Sequence, residues 1–108
     1  MTFNIKQNDT APSIRANLKD GDAAAVDLTG ASVRFHMRTI GGTTSKVDAP
    51  GVIISPPAGG VVQYNWIVAD TDTVDSYQAE FEITYADGTV ETFPNDSYIR
   101  VEITDDIT

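Results

Sequence analysis

The sequence predicts an all-β fold of two stacked antiparallel sheets, on three observations. Apolar and polar residues alternate with period two over most of the chain, the signature of strands with one buried and one wet face. No stretch carries a convincing helical period. Turn signals rich in Gly, Pro, Asn and Asp recur about every 8–12 residues, a spacing that favours a sandwich or barrel over isolated hairpins. Seven to eight short strands are expected.

In chain order, weak strands are read at residues 3–7 and 13–19, with Asn8-Asp9-Thr10-Ala11-Pro12 turning between them. Residues 32–39 alternate cleanly, with Val33, Phe35 and Met37 on one face and Arg34, His36 and Arg38 on the other. Ile40-Gly41-Gly42-Thr43-Thr44-Ser45 and the Gly- and Pro-rich passage 50–60 read as loop or edge material, with a short strand at 52–55. Residues 61–67 suit a half-buried pleated surface and put Val62, Tyr64 and Trp66 on one face. The clearest strand is residues 77–85, where Tyr77, Ala79, Phe81, Ile83 and Tyr85 oppose Gln78, Glu80, Glu82 and Thr84. Asp87-Gly88 then marks a hairpin, because Gly and, tolerably, Asp accept positive φ. Its return strand is residues 89–93, stopped by Pro94-Asn95-Asp96. A last strand, 98–103, turns Ile99, Val101 and Ile103 inward. Shared parity groups Phe35, Trp66, Phe81, Ile83, Val101 and Ile103 into one expected core.

The 108 residues, 41% of them hydrophobic, make a single domain spanning 1–108. Sixteen Asp and Glu against seven Lys and Arg give a net charge of −9, which repels phosphate backbones and anionic membranes. Neither nucleic acid nor membrane is expected as a partner. The first residues show no basic region leading an apolar run, so no secretion signal is expected. The chain has no Cys, and His36 is its sole His, so thiolate sites, Cys nucleophiles and His-rich zinc sites are excluded.

What remains of candidate chemistry is thin. Asp70-Thr71-Asp72-Thr73-Val74-Asp75 resembles the start of a calcium loop, but Asp75 and Phe81 stand where a Gly and a bidentate Glu are needed. It reads as a turn without tight calcium binding. Glu80 and Glu82 lie roughly 7 Å apart along a strand face, and pairing across strands with Arg34, His36 or Arg38 suits them better than acid–base catalysis. His36 has no nucleophile context beside it. Tyr64 and Trp66 read as core rather than as a sugar platform, and Gly59-Gly60 lacks the Lys and helix of a phosphate loop. No catalytic residue, metal ligand or cofactor is expected, and the chain does not read as an enzyme.

Three segments in fixed order carry a resemblance. They are Phe3-Asn4-Ile5-Lys6-Gln7-Asn8-Asp9-Thr10, Asp27-Leu28-Thr29-Gly30-Ala31-Ser32-Val33-Arg34-Phe35 and Tyr77-Gln78-Ala79-Glu80-Phe81-Glu82-Ile83-Thr84-Tyr85-Ala86-Asp87-Gly88, the last followed by Thr92-Phe93-Pro94. Together they resemble the amino-terminal domain family of phage baseplate upper proteins. The resemblance implies an immunoglobulin-like β-sandwich and a non-enzymatic virion protein of the phage tail or baseplate, assembled in the host cytoplasm and docking on other virion proteins. Capsid decoration or a head fibre, and a carbohydrate-binding adhesin module with Trp66, Tyr64 or Tyr98 exposed, stay open, as does a homo-oligomer. Open edge strands are natural pairing surfaces. The expected docking surface is therefore the amino-terminal strand and its turn (Phe3, Ile5, Gln7, Asp9) with the glycine loop Ile40, Gly41 and Gly42.

Overall fold

The computed structural model describes residues 1–107. Alternation becomes structure in nine strands: β1 (Thr2–Lys6), β2 (Ile14–Asn17), β3 (Ser32–Thr39), β4 (Ser45–Pro50), β5 (Val52–Ile53), β6 (Val61–Tyr64), β7 (Asp75–Thr84), β8 (Val90–Phe93) and β9 (Ile99–Thr104). Two 3₁₀ turns, Pro57–Gly59 and Val68–Asp70, flank β6. One sheet runs β1-β9-β7-β3-β4 with β8 also on β7; the other runs β2-β6-β5. The fold is the expected β-sandwich.

Strand β7 organises the larger sheet. One flank pairs with β3 from Ser32↔Thr84 to Thr39↔Tyr77. Its other flank is shared end to end, β9 pairing with Asp75 to Ala79 and β8 with Phe81 to Thr84. The expected hairpin joins β7 to β8: Tyr85 N–H donates to Thr89 O at 2.8 Å, and Gly88 has φ 88°. Asp87 secures this turn by accepting from the amide and hydroxyl of Thr89, as Asp27 does from Thr29 ahead of β3.

The predicted core is present. Phe35, Phe81, Ile83, Val101, Ile103 and Trp66 are all buried, and fully burying such a side chain contributes about 1.5–3 kcal/mol. Phe35 sits at the centre, stacked on Tyr64 with centroids 4.6 Å apart, edge-on to Trp66 at 5.6 Å and tilted against Phe81 at 5.0 Å. Because Tyr64 and Trp66 are inside, neither offers a sugar platform. At Gly60, a Cβ would come within 2.9 Å of backbone atoms of Leu18 and Val26, so the segment that follows β2 packs against this residue only because it has no side chain.

Four expectations need correction. The first strand pairs with the last in parallel, Thr2↔Arg100 through Lys6↔Thr104, so the larger sheet is mixed rather than antiparallel. No hairpin constrains two strands so distant in sequence. Second, residues 46–49, between the two passages read as loop or edge material and given no strand, form with Ser45 and Pro50 the edge strand β4: Lys46-Val47-Asp48-Ala49 does alternate, but Val47 alone is a large buried residue there, too little to stand out between Gly and Pro. Third, the strand read at 61–67 ends at Tyr64, since Ile67 and Val68 turn into a 3₁₀ segment closed by Asp70. Fourth, the second strand is only Ile14–Asn17; beyond it an isolated bridge joins Lys19 to Ala25.

Candidate functional site

The registers bring the expected docking segments to one end of the larger sheet. Lys6 pairs with Thr104, Ile103 with Asp75, and Tyr77 with Thr39, so the ends of β1, β9 and β3 and the start of β7 lie together. The two segments stay on opposite edges, with β9, β7 and β3 between them. Residue Asp72 spans the gap. Its carbonyl accepts from Gln7 Nε2 at 2.8 Å, while its carboxylate pairs with Lys46 of β4 and accepts from Thr73 Oγ1 at 2.9 Å. The Lys46 ammonium, more than Thr73, holds that carboxyl below its ordinary value of 3.8.

This crossing loop is seated by a buried carboxylate that sequence reasoning took only as part of a turn. Asp70 accepts from Tyr64 Oη at 2.6 Å and from Ile67 N–H at 2.9 Å. Burial, and then the Asp70 carboxylate, push the Tyr64 hydroxyl well above its usual range. Thr71, also buried, donates its hydroxyl to Asp9 O at 2.8 Å, and its own carbonyl accepts from Asn8 N–H at 2.9 Å. The Asp70–Asp75 segment is thus a clamp between the amino-terminal turn and the two sheets. Asp70 is buried and bonded to Tyr64 and Ile67, whereas Asp72 and Asp75 are exposed. The loop's carboxylates do not converge.

Each named docking residue takes a distinct place. Ile5 is buried in the core, and Phe3 is half-buried 5.9 Å from Trp66. The odd-numbered side chains of β1 therefore point inward, leaving Thr2, Asn4 and Lys6 on the wet face. Asp9 is exposed beside Asn8, whose φ is 67°. On the opposite edge, Ile40 is 40% exposed and anchored by its N–H to Ser76 O at 3.1 Å; Gly42 N–H donates to Thr39 O at 2.9 Å, closing the turn around Gly41.

The outer face of β3 and β7 holds the remaining ionisable candidates, Arg34, His36, Arg38, Glu80 and Glu82. Register sets Arg34 opposite Glu82 and His36 opposite Glu80. Arg34 nonetheless pairs with Asp48 of β4, holding that carboxyl below its ordinary value. His36 lies with Nδ1 3.3 Å from Asp48 and Nε2 3.7 Å from Glu82. The expected Glu–His contact is thus made by Glu82, one diagonal away from the residue directly opposite. No group of three His, Asp or Glu among the described residues has the arrangement of a metal site.

A mixed six-stranded sheet facing three strands, with its first strand laid parallel on its last, can be set beside known families. The family model for the BppU N-terminal domain matches residues 2–105. The chain belongs to that family. As a BppU N-terminal domain, it is a structural domain of a phage baseplate and a virion component. Comparison with curated proteins returns no match.

Proposed function

We propose that this BppU N-terminal domain is a non-enzymatic docking module that binds other proteins of the phage tail, assembling with them in the host cytoplasm. The contact surface is the end of the larger sheet that carries β1 with its 7–10 turn on one edge and the 40–44 turn on the other. The observation that carries this reading is the bridge through Asp72, which ties Gln7 of the amino-terminal turn to Lys46 of β4, the strand that follows the 40–44 turn, and so helps preorganise this end of the sandwich. Family membership supports the partner class.

The test is incorporation into particles. The chain is supplied in trans to a phage lacking it, and purified particles are assayed by mass spectrometry. Ile40→Glu alters an exposed side chain, so it should keep the wild-type melting temperature yet lower incorporation. Particles that lack the wild-type chain, or that take up the folded Ile40→Glu variant at the wild-type level, contradict the proposal.

A further inference from the structure

We propose that the free edge of β1 accepts an extended, basic segment of a neighbouring virion protein as an added strand. This rests on the docking reading above and specifies its occupant. In a parallel ladder, alternate residues direct both their N–H and C=O groups to the partner strand. Met1 O accepts from Arg100 N–H at 3.0 Å and Gln7 N–H donates to Thr104 O at 2.8 Å, so the odd-numbered residues of β1 serve β9. The backbone groups of Thr2 and Asn4 consequently face outward, beyond the last strand of the sheet.

Proteins blunt edges that are not used, with Pro, charge or very short strands. Two other edges of this sandwich, those of β4 and β5, are blunted. Strand β4 carries Lys46 and Asp48 and ends at Pro50, and its pairing with β3 shifts register between Met37 and Arg38. Strand β5 has two residues and is followed by Pro56 and Pro57. In β1, by contrast, no Pro interrupts Thr2–Lys6, and Phe3 and Ile5 pin the strand from within.

Charge selects the occupant. Exposed Asp9 and Asp105 flank the end of β1, with exposed Asp72 on the adjoining loop and exposed Asp75 at the start of β7, against Lys6 and Lys46. Lys6 is turned to Asp105 O, and Lys46 is already paired with Asp72. A strand with Lys or Arg meets a favourable field here, whereas a second copy of a chain with net charge −9 is repelled.

Asn4→Pro tests the strand itself. It deletes an outward N–H and projects a ring into the docking space, leaving the bonds of Phe3 and Ile5 to β9 in place. Asn4→Ala removes the side chain and keeps the N–H. Both variants should remain folded by circular dichroism. Incorporation should fall about tenfold or more for Asn4→Pro, the equivalent of losing one good hydrogen bond plus a steric clash, and stay at the wild-type level for Asn4→Ala. The doubly substituted Asp9→Lys, Asp105→Lys chain should also incorporate poorly. Should Asn4→Pro fail to fold, amide exchange of Thr2 and Asn4 in wild-type particles replaces it, with protection expected only after assembly. Normal incorporation of folded Asn4→Pro, or unprotected Thr2 and Asn4 amides in particles, overturns strand addition while leaving docking intact. Normal incorporation of the doubly substituted chain overturns the basic partner. A concentration-dependent dimer abolished by Asn4→Pro assigns the edge to a second copy and overturns the proposal. Absence of the wild-type chain from particles would instead defeat the docking reading itself.

Discussion

The two outer strands of the larger sheet, β1 and β4, are held by different physics. Strand β1 is fixed from beneath, by Ile5 in the core and Phe3 against Trp66. Strand β4 has buried Val47 but is also fastened from its wet side, by Arg34 and His36 to Asp48 and by Lys46 to Asp72. Strand β1 thus depends on its buried face, whereas β4 adds ion pairs on its wet face, which respond to pH and salt.

The severest way to break the comparison is to remove the core on which both edges depend. Phe81→Ala should lower stability by roughly 3–5 kcal/mol in urea unfolding through the cavity it leaves; a loss below about 1 kcal/mol would mean that the two sheets do not share one core. Next, Ile5→Ala should cost about 2–5 kcal/mol. By contrast Val52→Ala, at an exposed position on β5, should change stability by less than about 0.5 kcal/mol. Equal effects would show that the amino-terminal strand has no special anchor.

A smaller loss, about 1–3 kcal/mol, is expected for Tyr64→Phe, which strips the Asp70 carboxylate of one of its two donors. The subtlest contrast is in pH. The Asp48 and Asp72 carboxyls are lowered from 3.8 when folded, so their stabilisation is full above 3.8 and disappears as pH falls through the lower folded value. Acidification should therefore speed amide exchange in β4 before it does so in β1, whose ties to β9 are backbone bonds. Simultaneous loosening of both strands would remove the distinction.

Much of the fold was legible because alternation is a direct record of burial: residues 32–39 and 77–85 declared both their faces and their pairing potential. Strand β4 was harder to see, having one large buried residue to mark it, Val47, and its paired charges on separate elements. The choice of β1 as an edge was readable, but Phe3 and Ile5, named as contacts, turn inward, and the groups left outside belong to the backbone, which sequence does not spell. Asp70 was hidden for another reason. Its partners, Tyr64 Oη and Ile67 N–H, converge only after Ile67 leaves the strand.

The parallel pairing of β1 with β9 also has a mechanical consequence. Because the first and last strands run the same way, the chain enters beside Arg100 and leaves beside Lys6, at opposite ends of the shared ladder. Tension applied between the amino terminus and Thr104 therefore acts along this ladder. Its rungs, from Thr2↔Arg100 to Lys6↔Thr104, are sheared together rather than opened one after another. Separation then requires several hydrogen bonds to fail in a single event, so the load falls on the whole seam while the hydrophobic core behind it stays closed.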